Sequence, residues 1–188
     1  QAYLDNYIPK FKPPEIRMML SSIATSEANH AHSYSLLNDT IGLPDSEYKA
    51  FQEYKAMADK HDYLFRNKGD GIEGMARELA AFSAFGEGLQ LFASFVMLLN
   101  FQRFGKMKGM CQIVTWSIRD ESHHVDNMIK LFHALIDENK HIWNDDFKKT
   151  FSTQARRRHN MFLLSTWWLP RSGPGSFPEG FRKFLRKT

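Results

Sequence analysis

One cysteine, Cys111, in 188 residues leaves nothing for it to pair with inside the chain. An internal disulfide framework is excluded, and a reducing cytoplasm is the expected compartment. The lack of a cysteine cluster also argues against zinc or iron–sulfur sites. Proline is missing between Pro44 and Pro170, so helices can run there almost without interruption. No apolar run approaches the roughly 20 residues that a membrane helix requires; the greasiest short run, Met161 to Leu169, is far too brief. Gln1-Ala2-Tyr3-Leu4-Asp5 reads as neither a basic leader nor an apolar signal core.

Charge is unevenly spread. The formal balance is +4, but residues 155–188 hold eight Lys/Arg against one acid, leaving 17 basic and 20 acidic residues in the rest. The body is mildly acidic and the basicity belongs to the tail. Without an aromatic stacking pattern, a basic tail is expected to be a solvated terminus, with neither nucleic acid nor membrane as partner. Two regions follow: 1–155, helical, and 156–188, basic and irregular.

What is present is helical periodicity. Pro13 and Pro14 suit a helix start, and Asp39 to Pro44, with Gly42, its exit. A polar amphipathic helix is expected over about 45–66, a loop over 67–74 and an apolar, central helix over about 75–101. A fourth, its start disturbed by Gly105 and Gly109, reaches about Asn139, and a fifth begins near Trp143. On the fourth, Ile113, Ser117, Glu121, His124, Met128, Leu131 and Leu135 are spaced as one inward stripe. Ile23, Glu27, His30, Tyr34 and Leu37 trace a similar line on the first, and Glu87, Leu91, Phe95 and Leu98 on the third. The expected fold class is all-α, an antiparallel helical bundle.

Carboxylates on those inward lines are the unusual feature, because an unpaired buried charge costs several kcal/mol or more. Glu27-x-x-His30 and Glu121-x-x-His124 each place a carboxylate and an imidazole on adjacent turns of one face, Cβ atoms roughly 5–6 Å apart, so both can reach one ion. Glu87 adds a third acid. Dimetal carboxylate bundles combine two such pairs with a single carboxylate from each of two further helices. Oxygen and imidazole donors suit iron or manganese. The word alone is weak: ten Glu and eight His give roughly 0.4 chance matches, and a third copy, Glu138-x-x-His141, sits at a polar helix end as an expected decoy. Glu87 by itself could be a salt-bridge partner of Arg77, Arg103 or Arg119. Tyr34, one turn beyond His30, would lie near an oxidant formed at such metals; otherwise it is a core tyrosine with one hydrogen bond.

The segments Ser26-Glu27-Ala28-Asn29-His30-Ala31-His32-Ser33-Tyr34, Gly86-Glu87-Gly88-Leu89-Gln90-Leu91-Phe92-Ala93-Ser94-Phe95 and Arg119-Asp120-Glu121-Ser122-His123-His124 resemble the ligand helices of the small, radical-generating subunit of class I ribonucleotide reductase. The likeness covers about residues 3–155. It implies a ferritin-like bundle in which Glu27, His30, Glu87, Glu121 and His124 bind two irons, or a manganese–iron pair. It further implies dioxygen activation and a tyrosyl radical on Tyr34. A large subunit would use that radical to reduce ribonucleotides, and the small subunit would be a homodimer. Asp120 matches the aspartate that orients a metal-bound histidine, here His30; Leu91, Phe95 and Ser117 match the radical pocket, with Ser117 polar where the family often has an apolar residue. The family's first carboxylate ligand would precede Gln1, so weak or incomplete metal binding is expected of these 188 residues. From about Ala155 the family's continuing helices and docking tail are not recognisable. The alternatives are another ferritin-like dimetal oxidase, or a metal-storage bundle without a radical.

Overall fold

The computed structural model describes residues 2–42, 44, 46, 58, 71–150, 152 and 153. Apart from residues 46 and 58, the expected helix over 45–66 lies outside the described residues, as does the tail over 156–188. Among the described residues there is no strand, as the periodicity predicts. A short π-helical turn, Tyr3–Tyr7, and a 3₁₀ turn, Ile8–Lys10, lead into α1, Pro14–Ile41. Proline at its first position costs no internal hydrogen bond. Gly42, at φ 73°, takes the left-handed conformation that ends it, its N–H bonded to the Asn38 and Asp39 carbonyls.

The apolar rod that follows departs from expectation at both ends and in its middle. It is helical from Gly71, not Met75: α2 spans Gly71–Ala80. Glycine disfavours helix, which is why the sequence around Gly71 and Gly74 suggests a loop. Burial of Gly74 and Ala76 and the ion pair between Glu73 and Arg77 across one turn override that preference. Ala81–Leu91 then winds as a π-helix before α3, Phe92–Leu99, and a 3₁₀ stretch, Asn100–Phe104. The π segment carries Glu87, and such segments often accompany functional sites. A Cβ at Gly88 would crowd the Ser83 carbonyl of its own segment at 3.3 Å, while Val125 of the next helix would lie at an ordinary contact distance of 3.8 Å. No uninterrupted apolar run reaches the length of a membrane helix, as expected, yet by length and mean hydropathy Gly71–Phe104 is apolar enough to cross a membrane, a test that core helices also pass. Its charged residues are Glu73, Arg77, Glu78, Glu87 and Arg103, with glycines and a few polar groups between apolar ones.

After left-handed Gly105 and Met107 (φ 67° and 54°), α4 runs over Lys108–Glu138, with a 3₁₀ turn at Lys140–Ile142 and helix again over 145–150. Its inward stripe is the expected one: Ser117, Glu121, His124, Met128 and Leu131 are buried, and Ile113 and Leu135 half-buried. Glu138 and His141 are exposed, as expected of a decoy.

Two apolar clusters set the architecture. One gathers Tyr3, Tyr7, Leu20, Ile23, Leu79, Met128 and Leu131. The other gathers Phe95, Met110, Cys111 and Val114, with Tyr34, Leu37 and Leu91 packed against it. Along α1 and along the α2–α3 rod the chain passes from the first cluster to the second; along α4 it returns. These two rods therefore run in one direction and α4 against both. Met128, fully buried in the first cluster, bridges the rods. Met128→Ala is expected to cost about 2–5 kcal/mol of stability, measured as a lower midpoint in urea unfolding; an unchanged midpoint would contradict this packing.

Candidate metal centre

Between the two apolar clusters, at the same level on all three rods, lies a band of polar side chains. Helical steps of three and four that keep Ile23 and Tyr34 inward also keep Glu27 and His30 inward, and the same holds for Glu121 and His124 on α4. Glu121 is 1% exposed, His124 5% and Glu87 8%. One ligand atom each from Glu27, Glu121 and His124 fits within a 4.8 Å span.

His30 joins the same group. Its Nδ1 lies 3.1 Å from Glu121 Oε1 and 3.6 Å from Glu27 Oε1. His124 Nδ1 lies 3.1 Å from Glu27 Oε1 and 3.4 Å from Glu121 Oε2. Each of the two carboxylates thus reaches both imidazoles, whose ring centroids are 6.0 Å apart. On its far edge, His30 Nε2 faces Asp120 Oδ2 at 3.2 Å. Ser26 Oγ and Arg119 Nε also donate to Asp120, at 3.5 and 3.4 Å. With Nε2–H donating outward, Nδ1 faces inward and would offer its lone pair to a metal once its proton is lost, the orientation a carboxylate gives a metal-binding histidine.

Among the described residues, Glu87 takes no arginine partner. Arg77 pairs with Glu73, Arg103 bonds Asn100 and Arg119 bonds Asp120. Its Oε1 instead accepts a hydrogen bond from the buried hydroxyl of Tyr3. Tyr3 and Ser26 are site contacts that the sequence reading missed. A Tyr3-x-x-x-Tyr7 pair was legible as one helical face, but nothing in the sequence linked it to residue 87. Tyr34, half-buried, donates to Ser117 Oγ at 3.1 Å.

Whether these residues fit a metal is decided by what they leave unsatisfied. Glu27 Oε1, Glu87 Oε2, Glu121 Oε2 and His124 Nδ1 are buried without a hydrogen-bond partner. Buried polar atoms are normally paired, and each orphan costs about 1–3 kcal/mol. His124 Nδ1 approaches two carboxylate oxygens yet is angled to hydrogen-bond neither. Close donors aimed at a common interior rather than at one another are what a shared cation resolves. Three carboxylates and two imidazoles suit iron or manganese in kind, and their −3 falls one short of two divalent ions.

Without metal, protons take the place of that charge. Contacts with Glu121 and Glu27 outweigh burial and raise His30 to about 10. Burial lowers His124, but Glu121 and Glu27 prevail and raise it to about 9. Burial pushes Glu27 up, yet His124 and His30 hold it down at about 2. Burial, with Glu121 and Glu27 nearby, lifts Glu87 to about 8 against the pull of the Tyr3 hydroxyl. Groups raised on folding stabilise the fold below their unfolded values and lose that contribution as pH climbs through their folded values. His30 and His124 therefore lose theirs between pH 6.5 and about 10, and Glu87 between 4.5 and about 8. Glu27 loses its contribution only as pH falls from 4.5 to about 2. The metal-free melting temperature should thus fall from pH 6.5 to pH 10. Affinity for ferrous iron should rise over the same interval, with protons released on binding. Thermal scans and calorimetry in buffers of different ionisation enthalpy measure both; a flat affinity would contradict this proton balance.

The chain is similar to known proteins. The chain is 46% identical over 151 residues to a probable ribonucleoside-diphosphate reductase small subunit of Invertebrate iridescent virus 3, covering 71% of this chain and 40% of that one. It is 44% identical over 153 residues to the corresponding protein of Invertebrate iridescent virus 6, covering 74% and 42%. A ribonucleoside-diphosphate reductase subunit beta of Chlamydia pneumoniae is 26% identical over 149 residues, covering 72% and 43%. The chain therefore spans about two-fifths of the length of these relatives. Residues 1–158 match the family described as the ribonucleotide reductase small chain. With its all-α bundle and its clustered carboxylates and histidines, the chain belongs to the ribonucleotide reductase small-chain family.

Proposed function

We propose that residues 1–155 form the radical-generating core of a ribonucleotide reductase small subunit. Glu27, His30, Glu87, Glu121 and His124 would hold two irons, or a manganese–iron pair. The observation that carries the reading is the set of buried, unpartnered donor atoms between two dry clusters, with Tyr34 one turn from His30 on the same helix face. When bound, such metals supply dioxygen activation and a one-electron oxidant for a phenol. Glu27 and Glu121, each in reach of both histidines, are the carboxylates that would help hold the ions beside them. Asp120 orients His30.

The phenol of Tyr34 would give up one electron and one proton, both taken up by that oxidant. Burial raises its pKa, Ser117 opposes this and Glu121 adds to it, so the phenol, not the phenolate, is the resting form at neutral pH. Leu91 and Phe95 belong to the apolar packing around it and limit water, the environment a long-lived radical needs. Ser117, polar where an apolar residue was the family expectation, is the acceptor of the Tyr34 hydrogen bond and so takes part in setting the ring's orientation. The radical would serve a large subunit in reducing ribonucleotides, with this subunit a cytoplasmic homodimer.

The test is anaerobic loading with ferrous iron followed by air, read by iron analysis, visible absorption and electron paramagnetic resonance. A tyrosyl signal accompanying metal uptake is the expected result. Uptake and oxidation with no organic radical would replace this reading with an oxidase or storage bundle.

A further inference from the structure

We propose that Tyr3 is a positioning residue for the metal centre, its hydroxyl holding Glu87 Oε1 so that Oε2 is left for a cation. The proposal rests on the reading of Glu87 as a metal ligand. The terminal torsion of a glutamate is broad and roughly two-fold, so packing of the hydrocarbon stem does not decide which oxygen faces where. A hydrogen bond to one oxygen does. Tyr3 is 3% exposed, and its ring is held on two sides. Tyr7 lies 5.6 Å away, tilted by 60°, and Phe82 5.8 Å away at 86°, both between ring centroids.

The same ring belongs to the apolar cluster that joins α1, α2 and α4 through Leu20, Ile23, Leu79, Met128 and Leu131. The hydroxyl therefore has a fixed address, and a buried tyrosine hydroxyl needs a polar partner. Here that partner is a carboxylate 84 positions away. The other oxygen is buried with no hydrogen-bond partner. Glu87 is itself buried, and its neighbour Gly88 lies against Val125, the residue after His124 on α4. Nothing in the ligand helices themselves supplies this constraint; it comes from a single helical turn before α1.

Tyr3→Phe separates positioning from packing, because the ring and its contacts with Tyr7 and Phe82 remain. Cobalt(II) is the probe, added to the full chain, since its visible bands report ligand number and symmetry without turnover. The expected result is a fall in cobalt affinity of about 10- to 100-fold, the usual cost of losing an outer partner of a ligand, together with altered visible bands. Phe82→Leu loosens the same aromatic contact without touching the hydroxyl. It should lower the melting temperature and leave the spectrum as in the wild type. Equal affinity and identical bands in Tyr3→Phe and wild type would overturn the positioning role while leaving the metal centre standing. If wild type binds cobalt and its bands are unchanged by Glu87→Gln, Glu87 is not a ligand, and the reading on which the role rests fails. If Tyr3→Phe melts as low as Phe82→Leu and both share the altered bands, Tyr3 acts through packing and the role is overturned.

Discussion

Tyr34→Phe is expected to remove the whole tyrosyl resonance signal from iron-loaded, air-exposed protein while iron uptake stays at the wild-type level. The substitution deletes one oxygen from a half-buried ring. That oxygen donates to Ser117 and touches none of the five candidate ligands in the described contacts. The ring still packs with the Phe95, Met110, Cys111 and Val114 cluster, so the fold should persist. A phenylalanine ring is far harder to oxidise than a phenol, so no organic radical can form at this position. The effect is all or none, which makes it decisive. A signal of undiminished size in the variant would move the radical to another side chain, and loss of iron together with the signal would make Tyr34 part of the binding site instead.

Glu121→Gln has the second large effect. Its carboxylate contacts both histidines, at 3.1 Å to His30 and 3.4 Å to His124. The amide keeps the shape and loses the charge. Ferrous iron affinity should fall by more than the about 10- to 100-fold that an outer partner is worth, because a neutral amide oxygen is a poorer donor and a charge of −1 is gone. The metal-free protein should change in parallel. Contact with Glu121 is the foremost cause of the raised His30 pKa and the foremost raising influence on His124. Both imidazoles should therefore titrate closer to 6.5, and NMR titration of the ring protons reads this directly. Histidines that stay fully protonated at pH 8.5 in the variant would show that Glu121 is not the group that holds their charge.

Much of the site was legible before any coordinates. The lines Ile23–Leu37, Glu87–Leu98 and Ile113–Leu135 keep to steps of three and four, and an α-helix converts such spacing into a face. Acids and imidazoles on faces otherwise apolar were therefore marked for the interior, and Glu138 with His141, flanked by polar residues, for solvent. The start of α1 and its left-handed glycine exit were readable for the same local reason. The reading of 67–74 as loop failed at residues 71–74, where glycine propensity competed with packing and lost. The π winding of Ala81–Leu91 left no trace in the pattern either, because Glu87, Leu91, Phe95 and Leu98 satisfy ordinary α spacing on paper.

What the sequence by itself determined is which residues face inward and which chemistry they could support, since helical facing depends only on near neighbours along the chain. The tertiary structure alone decided which inward groups meet. It set His30 against Asp120 and Glu121, left four donor atoms without hydrogen-bond partners, and gave Glu87 a tyrosine in place of an arginine among the described residues. Such pairings depend on the rotation and height of separate rods, which are set by the summed packing of the Leu20–Met128 and Phe95–Val114 clusters. No local spacing encodes that sum.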